Sequence, residues 1–266
     1  MDARGRAVVT YSRCRKEPPR SSHDFFVGAT ILPPYNQGTG CDVYEYGLRA
    51  RTERRLRATR RRGRSEYLPA RWGGRIVFAT RIGRRGGRRP RLTGVDLRSG
   101  RTLNVAHGGG SDVAYASKTV FGPSRLDLVG SRVAVGWVSY DGRCLSDDAA
   151  DRDARQLLTQ VYVARLDSVA RRLVASGCLL ARTPSAVVGP SIDAADDSVV
   201  FGRVRGISGL EGGGARTTIR RLDPSGSVRT LRVVEPGNPV GLAADAGALY
   251  VAAFADRGTA ITRYSP

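Results

Sequence analysis

The chain of 266 residues is poor in the residue types that usually carry chemistry. It has two histidines, His23 and His107, one methionine, two tryptophans and four cysteines. Both histidines sit in loop-like contexts flanked by Gly or Pro and read as solvated loop residues, and with no HExxH present a histidine-built zinc site is unsupported. No GxSxG is present, so the nucleophile elbow of an α/β-hydrolase is absent. No CxxC or other metal-ligand cysteine spacing occurs. No apolar run approaches the ~20 residues of a membrane-spanning helix. The N-terminal MDARGRAVVTYS leaves no room among Asp2, Arg4 and Arg6 for the apolar stretch of a signal peptide.

Lysine is almost missing too. Only Lys16 and Lys118 are present, so nearly all of the 44 basic residues are arginine, against 24 acidic ones, for a net charge of +20. Such a charge invites a nucleic-acid reading, because clustered cations release counterions from phosphate backbones. Arginine at this excess, beside abundant Gly, Ala and Val, reads instead as the compositional signature of a GC-rich genome on a solvated surface. The basic runs RARTERRLRATRRRGR (49–64) and RIGRRGGRRPR (81–91) carry none of the interleaved aromatics on which single-strand binders stack bases. They define a candidate patch for an anionic partner: Arg54, Arg55, Arg60, Arg61, Arg62, Arg84, Arg85, Arg88 and Arg89. Binding there would be sequence-blind and salt-sensitive.

What the sequence does contain is repetition. YLPARWGGRIVFAT, GPSRLDLVGSRVAVGW, GPSIDAADDSVVFGRV and NPVGLAADAGALYVAAF share a proline, a short alternating strand, a polar turn and an apolar strand. Their prolines, Pro69, Pro123, Pro190 and Pro239, lie 54, 67 and 49 residues apart, at or above the ~40–50 residues of a propeller blade. A second half repeats as well: CDVYEYGLRARTERRLRA, LTGVDLRSGRTLNV, VYVARLDSVARRLVASG and TTIRRLDPSGSVRTLRV, with Asp, Ser, Pro and Gly in the turns as hairpins require.

Each unit therefore predicts four short strands. The first begins at its proline, where ladder pairing has not started and the missing N–H is tolerated. The second is apolar throughout, as in a strand covered on both faces. The third and fourth are expected to be outer and half-solvated. Helical periodicity is confined to 147–160. The fold class that follows is all-β: a single β-propeller domain over 1–266, of about five four-stranded blades at 1–62, 63–117, 118–183, 184–235 and 236–266.

The segments PSIDAADDSVVFG…TTIRRLDPSGSVRTL and PARWGGRIVFA…LTGVDLRSGRTL resemble the TolB-type, WD40-like propeller repeat. The likeness covers nearly the whole chain, but that family's Ser-Pro-Asp-Gly turn is nowhere intact, and Ala195-Asp196-Asp197 and Ala244-Asp245-Ala246-Gly247 stand in its place. The resemblance implies a scaffold that binds partners, often outside the cytoplasm, and no chemistry.

On this reading the chain starts in the second strand of blade one and ends after the third strand of blade five. An upstream segment carrying an inner strand and a signal peptide is expected. The four cysteines suit an oxidising compartment, extracellular or periplasmic, with Cys14 paired to Cys41 and Cys144 to Cys178.

The expected function is a non-enzymatic interaction module whose partner is a protein or a cell-envelope component rather than nucleic acid, with no cofactor. Ser124 and Ser191 recur at equivalent blade positions, which argues for structure, since a catalytic serine needs one site. Asp147, Asp148, Asp151 and Asp153 lack the spacing, Gly and Glu of a calcium loop. The alternatives are an electrostatic binder of anionic polymers and a propeller enzyme of lyase or glycoside hydrolase type. Such an enzyme needs convergent carboxylates on inner strands, for which Asp127, Asp193 and Glu66 are the candidates.

Overall fold

The computed structural model describes 4–15, 40–61, 63–82, 91–106, 122–140, 157–178, 185–205, 216–234, 239–255 and 258–265. These residues form five antiparallel sheets in chain order, a five-bladed β-propeller. The first sheet holds β1 (Val8–Arg13), β2 (Asp42–Gly47) and β3 (Thr52–Arg55). The second holds β4 (Arg64–Trp72), β5 (Arg75–Ile82), β6 (Arg91–Asp96) and the two-residue β7 (Thr102–Leu103). The third holds β8 (Gly122–Val129), β9 (Arg132–Tyr140), β10 (Leu157–Arg165) and β11 (Arg171–Cys178). The fourth holds β12 (Ser185–Ile192), β13 (Val199–Arg205), β14 (Arg216–Leu222) and β15 (Val228–Val234). The last holds β16 (Pro239–Asp245), β17 (Ala248–Ala255) and β18 (Gly258–Tyr264). No helix among the described residues is long and apolar enough to cross a membrane.

The inner strands β4, β8, β12 and β16 pack side by side in that order. The core lies between blades, and the second strand of each blade feeds two cores at once through the two-residue period of a strand. In β5, Ile76 and Phe78 pack with Val43 and Leu56 of the first blade, while Val77 and Ala79 join Val133, Val135 and Trp137 of the third. In β9, Ala134 turns the other way, onto Val187, Ile192, Val199 and Phe201 of the fourth. The apolar runs of these strands are thus two alternating half-patterns, each facing one neighbour. Where two blades approach most closely there is no room for a side chain: a Cβ on Gly136 would stand 2.6 Å from the Gly189 carbonyl oxygen.

Three expectations change. Pro69 and Pro190 lie inside β4 and β12 rather than at their starts. In all four inner strands the register against the second strand shifts at the proline, between Tyr67 and Ala70, Pro123 and Arg125, Val188 and Ser191, and Pro239 and Gly241. A bulge on an edge strand absorbs a residue that has no N–H to offer, so pairing continues on both sides of it. The residue before the proline takes a positive φ, 88° at Gly189 and 51° at Leu68, which explains the Gly of Gly-Pro-Ser and marks Leu68 as a strained substitute.

Three of the third strands, β6, β10 and β14, are more deeply covered than half-solvated, with Val95, Val161, Tyr162 and Ile219 buried against neighbouring blades, whereas β18, the third strand of the last sheet, is exposed, Ile261 by 74%. The segment 147–160 is not helical where it is described: Leu157 to Gln160 open β10, paired residue by residue with β9. The only helical turn among the described residues is a 3-10 turn at Arg57–Thr59.

Cys14 and Cys41 form a disulfide that joins the end of β1 to the start of β2. Cys178 is disulfide-bonded as well, and Cys144 lies outside the described residues. The Cys14–Cys41 bridge closes a loop with a sequence separation of 27, for which chain entropy gives roughly 3.5 kcal/mol of stabilisation. The double variant Cys14→Ser/Cys41→Ser is therefore expected to unfold at a lower denaturant midpoint by about that free energy. An unchanged midpoint would show that the bridge does not constrain the unfolded chain.

Candidate functional site

The inner strand of each blade is a sheet edge, and its outward N–H groups need partners from the neighbouring blade. Two of the polar residues singled out by the sequence, Asp127 and Ser191, are such partners. Asp127 on β8 accepts from the Ile192 N–H at 2.7 Å and from the Ser191 hydroxyl at 2.9 Å through Oδ2, and from the Leu128 N–H at 2.8 Å through Oδ1. Ser191 Oγ in turn accepts from the Ala244 N–H of β16 at 3.1 Å. Asp193, 2% exposed, accepts from the Gly247 N–H of the fifth blade and from the Ala195 N–H, both at 3.0 Å. Arg125 of β8 reaches two sheets further round, donating to the Leu242 carbonyl of β16 at 3.4 Å.

The same device recurs earlier in the ring with different atoms. The Val187 N–H donates to Thr159 Oγ1 at 2.9 Å, and the Glu66 N–H to the Cys41 carbonyl at 2.9 Å. Glu66 and Val187 stand at the same distance before their blade's proline, so Cys41 stands where Thr159 does. By that equivalence β1, β2 and β3 are the second, third and fourth strands of the first blade.

Glu66 is the chemically distinctive member. It is fully buried; one carboxylate oxygen accepts the Arg61 N–H at 2.7 Å, and the other has no hydrogen-bond partner among the described residues. Burial, reinforced by the Asp42 carboxylate, pushes its pKa up to about 7, against the opposing pull of the Arg61 N–H, Arg55 and Arg61.

A second buried acid escaped the sequence reading. Glu45 on β2 shares the inward parity of Val43 and is 4% exposed. It pairs across the blade seam with the equally buried Arg71 of β4, and Arg54 Nε donates to it at 2.9 Å. The signal available was an acidic residue at an apolar-parity position of an alternating strand.

Of the expected arginine patch, Arg54 and Arg55 stand on β3, Arg55 ion-paired to Asp42. Arg61 is turned inward to the Ala58 carbonyl and to the Thr102 hydroxyl. Arg60 is exposed. Arg62, Arg84, Arg85, Arg88 and Arg89 lie outside the described residues, as do His23, His107, Asp147, Asp148, Asp151 and Asp153. Among the described residues no group of three His, Cys, Asp or Glu side chains is gathered that would hold a metal ion.

No protein-family model matches the chain, and no curated protein matches it. Among solved structures it is similar to an oligogalacturonate lyase in complex with manganese, at 14% identity and a TM-score of 0.46, covering 89% of this chain and 63% of that one. It is also similar to a chain of a nidogen/laminin complex, at 10% identity and a TM-score of 0.44, covering 85% of this chain and 72% of that one. A prolyl endopeptidase matches at 14% identity and a TM-score of 0.42, and of its length this chain spans 41%. At these identities and scores the likenesses bear on no activity, substrate or partner.

The raised pKa of Glu66 fixes the sign of a pH effect. Between the ordinary carboxyl value of 4.5 and about 7 the folded chain holds a proton that the unfolded chain has released. The stability this group contributes is therefore fully present below 4.5 and is lost as pH rises through 7. Thermal unfolding at pH 5 and pH 8 is expected to show a larger drop for the wild type than for Glu66→Gln, with the variant the more stable at pH 8. Parallel behaviour of the two would contradict this.

Proposed function

We propose that the chain is a non-enzymatic propeller scaffold of TolB-type, WD40-like repeats, acting as a protein or ligand interaction module outside the cytoplasm. The observation that carries the reading is the use made of Asp127, Ser191 and Asp193. Asp127 and Ser191 of the inner strands, and Asp193 just beyond β12, accept hydrogen bonds from backbone N–H groups of the next blade, where the fold itself requires acceptors. A carboxylate whose two oxygens already accept three hydrogen bonds from the fold has little acceptor capacity left for a substrate. The Cys14–Cys41 disulfide supports an oxidising compartment. The partner is expected to be a protein or a component of the cell envelope, engaged by loops converging at one end of the ring.

The test is the sign of a stability change. Removing a catalytic group commonly leaves a fold more stable, whereas removing a structural acceptor leaves a buried N–H unsatisfied. Asp127→Asn and Ser191→Ala are each expected to lower unfolding free energy by about 1–3 kcal/mol in chemical denaturation. A gain in stability from either would favour an enzyme and count against the scaffold.

A further inference from the structure

Beside the seam between the first two blades lies a cleft of about 530 Å³, a volume typical of small-molecule sites. Among the described residues it is lined by seven arginines, Arg54, Arg55, Arg57, Arg71 and Arg98 among them, and by no acidic residue. Leu56 and Leu97 give it an apolar floor. The arginines come from separate places in the chain: the N-terminal segment, β3, the 3-10 turn, β4 and the turn after β6. No single basic run of the sequence builds it.

The walls are partly fixed from behind. Glu45 holds Arg54 and Arg71, and Asp42 holds Arg55, both acids standing outside the cleft lining with side chains 5% and 14% exposed. Arg71 is thereby a positioned, buried guanidinium, its side chain 6% exposed. Arg57 and Arg98 reach in from opposite blades; both are exposed, and among the described residues neither makes an ion pair. Guanidiniums held in fixed orientation match the planar fork of a carboxylate or phosphate. Cations crowded into one concavity raise the local potential for an anion well above that of a flat basic surface. A second hollow of about 440 Å³ shares Gly74 and Arg98 with the cleft and is lined by Trp72. Trp72 is 40% exposed, whereas Trp137 is 4% exposed, so one indole stands beside the site as an optical reporter.

We propose that this cleft binds a small ligand carrying two or more oxyanionic groups, carboxylate or phosphate, held between Arg57 of the first blade and Arg98 of the second on the floor formed by Leu56 and Leu97. The site is independent of the scaffold reading. It differs from a diffuse basic surface in that particular arginines, rather than net charge, set its affinity.

The wild-type protein is titrated separately with pyrophosphate and with citrate in 0.15 M salt, by calorimetry and by tryptophan fluorescence. Saturable one-to-one binding of at least one is expected, and the one that binds identifies the phosphate or the carboxylate chemistry. Arg57→Ala/Arg98→Ala is expected to weaken it at least tenfold. Arg60→Ala/Arg91→Ala removes the same charge from exposed positions outside the cleft and is expected to change it less than twofold. Failure of both anions to bind the wild type, or equal weakening by the two double variants, overturns the proposal.

Discussion

One hydroxyl ties three blades together. Ser191 donates to Asp127 of the third blade and accepts from the Ala244 N–H of the fifth, while belonging to the fourth. The constraint behind it is general to the architecture. Every inner strand is a sheet edge, so the N–H groups on its open side find no partner within their own sheet. Asp127 serves Ile192, Ser191 serves Ala244, Thr159 serves Val187 and the Cys41 carbonyl serves Glu66, while Asp193 serves Gly247 in the turn after β16. Polar residues on inner strands are thus demanded by the backbone before any question of chemistry arises. The proline bulges belong to the same solution, because each places a residue without an N–H in the strand and shifts the register of those that follow.

Between blades the usual seam is apolar, with alternate residues of one strand feeding the cores on its two sides. The first seam has such an apolar core too, and adds to it a buried ion pair between Glu45 and Arg71. Breaking such a pair by removing one partner leaves an uncompensated buried charge, at a cost of about 3–5 kcal/mol. The first seam is thus both apolar and charged. It is also where the arginine-lined cleft opens and where Glu66 is buried, one of its carboxylate oxygens without a hydrogen-bond partner among the described residues. Glu45, Arg71, Glu66 and the arginine-lined cleft thus lie together at the junction of the first two blades, next to the Cys14–Cys41 bridge.

Much of the architecture is legible in the residues. Pro69, Pro123, Pro190 and Pro239 mark the blades, and RIVFA, RVAVGWV and SVVFG mark the doubly covered strands, because a Pro and a continuous apolar run leave local signals. The start of β12 was missed because Ser185 to Val188 precede a proline, which reads as a boundary although a bulge carries the strand through it. The burial of β6, β10 and β14 depends on the neighbouring blade, which no local pattern reports. The cleft was invisible for the same reason: Arg57 and Arg98 belong to different blades, and the conspicuous arginine runs drew attention to where arginines are numerous rather than where they converge.

The central claim is that Asp127 and Ser191 act on each other as parts of the fold. A double-mutant cycle in unfolding free energy with Asp127→Ala, Ser191→Ala and the pair measures it directly. The account predicts a coupling of about 1 kcal/mol or more between the two positions. Strictly additive losses would contradict it.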